Sequence, residues 1–178
     1  GADHEIEVAA RDSAAGQHAV ARWGLVALDG GLGRNGGWSE GAIGGMYPGE
    51  LYVLCGVPAS GKTTLAMQAT LATAEGDGRA PGRKVLYFSL EMSRASLCRR
   101  LAGQKAGVPS ARIKRGVFVE GEMDALGVAA QKFGRLPIDV IETARTVEAI
   151  RARVLAERAR GDVGLVVVDF LQLAQVER

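Results

Sequence analysis

The residues best suited to chemistry in this sequence are the nine at positions 56–64, which read GVPASGKTT. Glycines at such spacing let the backbone take positive φ values, so that successive N–H groups point into one concavity at a helix start, where the helix dipole also favours anions. A lysine then adds a positive charge, and a threonine hydroxyl can bind Mg²⁺. The pattern predicts a loop that binds the phosphates of a nucleoside triphosphate.

Each position of this loop receives an expected role. Lys62 reaches the β- and γ-phosphates, the Thr63 hydroxyl binds Mg²⁺, and Thr64 donates near the α-phosphate. A chance match in a chain with 25 glycines is the alternative, and the apolar stretch before the loop and the apolar-faced segment after it argue against that alternative. The other expected nucleotide-binding positions are Gly56, Val57, Pro58, Ala59, Ser60 and Gly61.

Two acids and an amide follow other apolar stretches. Asp169 follows the apolar residues 165–168 and has the form of an acid that holds the Mg²⁺ shell. Glu91 suits a catalytic carboxylate that accepts a proton from the attacking water or orients it, and a solvent-facing acid at a helix start is its alternative. Gln172 suits a sensor of the γ-phosphate, and spacing alone leaves a polar turn residue equally open.

These groups need elements to position them. The apolar stretches predict strands that alternate with helices, which favours a mainly parallel α/β sheet with helices on both faces and ligands at the carboxyl ends of its strands. We expect Met123, Leu126, Ala130 and Phe133 to share the buried face of one helix. The predicted strands are 51–55, 84–90, 136–141 and 165–169, and the predicted helices are 62–75, 93–107, 120–135 and 146–161.

Bulk composition restricts the classes of protein. The 178 residues, 47% of them hydrophobic, suit one α/β domain over 23–178, preceded by a helical arm or linker over 1–22. A net charge of +2 is too small to argue for nucleic acid, and the arginine-rich segment 151–160 is interpreted as a solvated face. The two cysteines form neither a disulfide framework nor a metal-binding pair. No apolar run reaches the ~18 residues of a membrane helix, so we expect a cytoplasmic protein.

Four stretches together carry a family resemblance. PGEL at 48–51, the phosphate loop, SLEMS at 89–93 and VDFLQL at 168–173 resemble the C-terminal motor domain of DnaB-type replicative helicases, over about residues 24–175. The resemblance implies a RecA-like phosphate-loop ATPase, with ATP and Mg²⁺ as cofactors, that assembles into a hexamer and moves along single-stranded DNA. It also implies contacts with primase or a helicase loader through regions outside this sequence.

The resemblance assigns the same roles as the residue types. Lys62 and Thr63 would bind phosphate and Mg²⁺, Glu91 would be the catalytic carboxylate, Asp169 the acid of the Mg²⁺ shell, and Gln172 the glutamine that couples the γ-phosphate to DNA. The family continues beyond the strand of the second nucleotide-binding (Walker B) motif with further strands, DNA-binding loops and an arginine finger. We therefore expect the isolated chain, incomplete at its C-terminus, to bind nucleotide and hydrolyse it slowly.

Two other functions remain open on the sequence. One is a related RecA-like ATPase of recombination or of phage and plasmid replication. The other is a nucleotide-binding regulator or helicase loader that uses ATP as a switch, which the presence of Glu91 argues against.

Overall fold

The computed structural model describes residues 7–10, 46, 49–76 and 81–174, and the chain divides after Pro81 into two compact units. Within the described residues, the elements in chain order are β1 (Glu7–Ala10), β2 (Tyr52–Cys55), α1 (Lys62–Glu75), β3 (Lys84–Ser89), α2 (Arg94–Ala106), α3 (Ser110–Arg115), α4 (Glu122–Phe133), β4 (Ile138–Ile141), α5 (Val147–Arg160), β5 (Val163–Asp169) and a 3₁₀-helix (Leu171–Leu173).

In the first unit, β1 and β2 form a two-stranded antiparallel sheet, with Glu7 opposite Cys55. The helical arm expected over 1–22 is therefore wrong at 7–10, and the rest of that arm, with its boundary at residue 22, lies outside the described residues. Short helices in water are marginal, whereas strand pairing satisfies the backbone groups of both partners. The expected strand at 51–55 is present as β2, and its partner within the described residues of this unit is β1.

In the second unit, β4, β3 and β5 form a parallel sheet in that order, with β3 in the centre. The side chains of β3 from Val85 to Phe88 are completely buried, so both faces of this strand are covered. On one face, Leu86 and Phe88 pack with half-buried side chains of α5. The near-continuous apolar sequence of the strand is what a parallel sheet covered on both sides requires.

Most predicted helix boundaries are confirmed, because local capping chemistry specifies them. The Ser93 hydroxyl accepts a hydrogen bond from the Ser96 amide at 3.3 Å, and the Thr146 hydroxyl accepts one from the Ala149 amide at 3.1 Å. Gly107 ends α2 with φ 71°, a left-handed conformation that glycine adopts without strain.

Two details of the helical layer differ from expectation. The buried stripe of α4, which packs on α2, is centred on Ala129, while Met123 is 59% exposed and Ala130 is also exposed. The expected stripe was wrong at these two positions, because a shift of one residue turns a helix by about 100°. The helix α3 was not expected, since six residues are too few to show a helical period.

An ion-pair cluster joins β3, β4 and α5 at the end of the sheet where β3 begins. The Lys84 ammonium lies 2.6 Å from the Glu157 carboxylate and 3.1 Å from that of Asp139, and Arg153 and Arg160 approach Glu157 at 3.0 and 3.1 Å. The hydrogen bond from Lys84 holds the pKa of Glu157 below its usual value, and the bonds to Glu157 and then Asp139 hold the pKa of Lys84 above its own. The cluster therefore fixes α5 against the sheet.

None of the helices that the structure describes combines the length and the apolar character needed to cross a bilayer.

Candidate functional site

The predicted phosphate loop joins β2 to α1. The helix begins at Lys62, as expected, and Gly61 immediately before it has φ 98°, the positive value that was predicted. Gly56 has φ 159°, at the extended border of that region, and Ala59 has φ 64° although it carries a side chain. The backbone therefore turns sharply at two points of the loop before entering the helix, which leaves the first-turn N–H groups of α1 facing the loop.

The side chain of Lys62 lies across this loop. Its ammonium group donates to the carbonyl of Gly56 at 2.7 Å and to that of Val57 at 2.8 Å. These carbonyl contacts hold the positive charge over the loop, where phosphate oxygens would be stronger acceptors because they are charged. These contacts therefore place the amine where a bound phosphate would be expected.

The donor set of the loop fits a nucleotide phosphate. The hydroxyl of Ser60 is buried and has no hydrogen-bond partner within the described part of the chain. A buried hydroxyl without a partner is costly, so a ligand oxygen at this position would relieve a penalty. Together with the Lys62 ammonium and the N-terminal N–H groups of α1, this hydroxyl makes a concave set of donors suited to an anion.

Asp169 ends β5 at the carboxyl edge of the parallel sheet. Its backbone carbonyl accepts a hydrogen bond from the Leu90 amide at 2.8 Å, and its side chain accepts one from the Tyr87 hydroxyl at 2.8 Å. Tyr87 of β3 is opposite Val167 of β5. Asp169 lies two residues after Val167 in β5, so its side chain is on the same face of the sheet as those of Val167 and Tyr87. This register explains how a central tyrosine reaches the predicted Mg²⁺-shell acid.

In the hydrogen bond between Tyr87 and Asp169, the tyrosine is the donor and the carboxylate is the acceptor. Burial first, and then the charge of Asp169 and the hydrogen bond to it, raise the pKa of the Tyr87 hydroxyl above its usual value. The phenol therefore keeps its proton and donates a hydrogen bond to the carboxylate. Tyr87 is fully buried and Asp169 is 9% exposed, so water has little access to the carboxylate.

Glu91 lies in the bend between β3 and α2, with an exposed side chain. Two contacts fix this bend: the Ser89 hydroxyl donates to the Met92 carbonyl at 2.7 Å, and the Arg94 amide donates to the Glu142 carboxylate at 2.8 Å. A carboxylate at the N-terminus of α2 also interacts favourably with the helix dipole. The exposed Glu91 carboxylate is therefore carried by a well-anchored turn.

The structure brings three of the predicted residues to one edge of the parallel sheet. Asp169 ends β5, Glu91 lies two residues beyond Ser89, which pairs with Asp169, and Gln172 is exposed on the 3₁₀-helix that follows β5. The phosphate loop belongs to the first unit and the three other residues to the second. Their catalytic roles and the metal-binding roles of Thr63 and Asp169 stay predictions.

Tyr87 was not expected as a partner of Asp169. The available signal was a polar aromatic residue inside an otherwise apolar strand. Buried tyrosines usually find a hydrogen-bond partner for the hydroxyl, so this residue type alone called for an acceptor nearby. Which acceptor it finds depends on the register between β3 and β5, which the sequence does not show.

Comparison with known proteins identifies the family. The model of the DnaB-like helicase C terminal domain matches residues 40–178. The chain belongs to this family. Among curated proteins it is 33% identical over 135 residues to the replicative DNA helicase DnaB of Synechocystis sp., and 31% identical over 136 residues to that of Rickettsia bellii.

These matches cover most of this chain and a small part of the relatives. They include 74% and 72% of the chain but only 15% and 27% of the two DnaB proteins. Among solved structures, a DnaB-like replicative helicase, described with its interactions with primase, matches 67% of the chain and 29% of its own length, with a TM-score of 0.56 and 25% identity. A second solved structure, described as an ATPase domain, matches 67% of the chain and 42% of its own length, with a TM-score of 0.57, and at 23% identity it supports the fold alone.

The expected fold and family are therefore confirmed. The open parallel sheet with its helices is the described part of a RecA-like ATPase domain. Nucleotide use is a property of this helicase family, and this agrees with the donor set of the loop.

Proposed function

We propose that this chain supplies the part of a replicative DNA helicase that binds and hydrolyses ATP to drive movement along single-stranded DNA. The observation that carries the proposal is the loop at 56–64, in which the Lys62 ammonium lies across an anion-binding turn at the start of α1. Membership of the DnaB-like family supports the choice of a helicase over other phosphate-loop ATPases.

Each residue contributes a separate step to the proposed hydrolysis. Lys62 and the N–H groups of the loop hold the phosphates, and Glu91 orients the attacking water and accepts its proton. Thr63 and Asp169 would hold Mg²⁺, which supplies charge neutralisation on the phosphates. Gln172 would contact the γ-phosphate and transmit its loss to the DNA-binding parts of the protein.

The partners follow from the family and are also proposals. The full-length protein would work as a homo-oligomer, most simply a hexamer, in the cytoplasm, where it would act on single-stranded DNA. Contacts with primase or a helicase loader would involve parts of the protein beyond this chain, and the described interaction of a related solved helicase with primase supports the first of these.

The deciding experiment measures ATP binding and ATP hydrolysis by the full-length protein, with and without an oligo(dT) strand. We expect DNA to stimulate hydrolysis, Lys62→Ala to abolish nucleotide binding, and Glu91→Gln to retain binding while losing about 10²–10⁴ in rate. Glu120→Gln is the matched control, because it removes another exposed carboxylate of the second unit, outside the site, and should leave the rate unchanged.

Two results would contradict the proposal. Tight ATP binding with background hydrolysis that ignores DNA would favour a nucleotide-dependent switch or loader. Full activity of the Glu91→Gln variant would remove this residue from the chemistry and leave the catalytic base unassigned.

A further inference from the structure

A run of positive charge occupies α2, α3 and the residues beside them. From residue 94 to residue 119 the sequence contains seven lysines and arginines and no aspartate or glutamate. Because the whole chain carries +2, the remaining residues together carry −5. The small net charge is therefore the sum of a strongly positive segment and a negative remainder. A clustered positive segment of this kind is typical of proteins that bind an anionic partner.

The packing of the two helices concentrates part of this charge in one place. At Gly103 on α2 a side-chain carbon would lie only 2.5 Å from the Ile113 side chain of α3, so the glycine permits the close approach of the helices. Above this contact is a shallow depression, whose polar rim we name the basic face. The rim consists of Ser96, Arg99, Arg100, Ser110 and Lys114.

Within the described part of the chain, no acid forms an ion pair with a cation of the basic face. Among the described residues, none of Arg99, Arg100 and Lys114 has a carboxylate within ion-pair distance, whereas nearby Arg112 is paired with Glu122 at 2.6 Å. Three neighbouring cations repel one another, and an anion between them would replace that repulsion with attraction. Among the described residues, the positive charge of this face is therefore not balanced by a neighbouring acid.

The arginines of α5 show the opposite arrangement. Arg153 and Arg160 both contact Glu157, at 3.0 and 3.1 Å, so the acid inside this helix neutralises part of its charge. Within the described residues, two of the four arginines in segment 151–160 are thus paired with an acid, which makes this segment the weaker candidate for an anion. The comparison favours the basic face.

The chemistry of the rim matches phosphate oxygens. Guanidinium groups bind phosphate through paired N–H donors, lysine adds a point charge, and serine hydroxyls are common phosphate donors. None of the described residues that line the depression is aromatic, so these residues offer no ring on which a base could stack. Among the described residues, Ile113 is the one apolar residue that lines the depression.

We propose that the basic face binds the phosphate backbone of a nucleic acid strand, independently of sequence. This contact lies outside the predicted catalytic residues and adds a DNA-binding site to the proposed function, on which it rests. Its role is to hold the strand electrostatically while the ATP-driven steps occur elsewhere in the protein.

The test compares two double variants of the full-length protein. Arg99→Gln with Lys114→Gln removes two exposed cations of the basic face, and Arg151→Gln with Arg158→Gln removes two exposed cations of α5, for the same change in net charge. Binding of a labelled oligo(dT) is measured by fluorescence anisotropy over about 50–300 mM NaCl. We expect the first variant to reduce the slope of log K against log salt by about 1.4, and the second to leave it unchanged.

Three results overturn the inference. Equal salt slopes for the two variants would remove the basic face from DNA binding. Loss of subunit assembly in the first variant, seen by light scattering, would identify the face as a protein interface. Failure of the wild-type protein to bind oligo(dT) would overturn the proposed function together with this inference, whereas wild-type binding with an unaffected first variant would overturn the inference alone.

Discussion

The buried hydrogen bond from Tyr87 to Asp169 can be removed by deleting one oxygen atom, that of the tyrosine hydroxyl. Tyr87→Phe deletes the hydroxyl and keeps the buried aromatic ring of the central strand. Because the phenylalanine ring has nearly the same shape, no large cavity forms. The substitution therefore tests the hydrogen bond itself, separately from packing.

The size of the effect follows from the charge and burial of the pair. A hydrogen bond to a charged group contributes about 1.5–3 kcal/mol, roughly twice a neutral one. Asp169 is only 9% exposed, so water replaces the lost donor poorly. We expect Tyr87→Phe to lower the free energy of unfolding by about 1.5–3 kcal/mol, which is roughly 3–12 °C in Tm for a chain of this size.

The assay is a double-mutant cycle in urea unfolding, with Tyr87→Phe, Asp169→Ala and the double variant. The expected coupling energy is about 1.5–3 kcal/mol, and a value below about 0.5 kcal/mol would refute the reasoning. If Asp169 also holds Mg²⁺ as proposed, loss of its orienting partner should raise the half-saturating Mg²⁺ concentration for ATP hydrolysis about 10-fold. A coupled pair with unchanged Mg²⁺ dependence would leave the contact purely structural.

The ion-pair cluster and the helix packing give two further predictions. The pKa of Glu157 is lowered on folding, so its stabilisation is present above the ordinary value of 4.5 and is lost as the pH falls through the folded value. Glu157→Gln should lower Tm near neutral pH and reduce the additional loss of Tm on acidification, and parallel acid profiles would contradict this. Gly103→Ala should destabilise the protein by about 1 kcal/mol against Ile113, whereas Gly127→Ala, in an open helical position, should stabilise it by about 0.5–1 kcal/mol in urea unfolding. Equal effects would refute the packing argument.

Features encoded within a few residues were predictable from the sequence. The phosphate loop, the start of α1 at Lys62, the caps Ser93 and Thr146, and the end of α2 at Gly107 depend on contacts spanning six residues or fewer. Local propensity and side-chain hydrogen bonds determine such features, so the printed sequence contains nearly all the necessary information.

Features that depend on distant pairing were not predictable in the same way. The strand β2 finds its partner at 7–10, more than 40 residues away, although its own sequence suits a parallel sheet equally well. Tyr87 and Asp169 meet because of a register that the apolar sequences of β3 and β5 do not specify. The buried stripe of α4 shifted by one residue for the same reason, since its packing partner selects the face.

Charge gives the clearest case of a property that needs both sequence and structure. The sum of +2 is too small to argue for a nucleic acid partner, whereas the distribution argues for one, because the acids that balance the sum lie outside residues 94–119. Only the packing of α3 on α2 brings Lys114 beside Arg99, and only the structure shows that Glu157 pairs with two of the α5 arginines, Arg153 and Arg160. Since screened electrostatic attraction acts over about 10 Å or less at cellular salt, the charge within one depression governs binding far more than the charge of the whole chain.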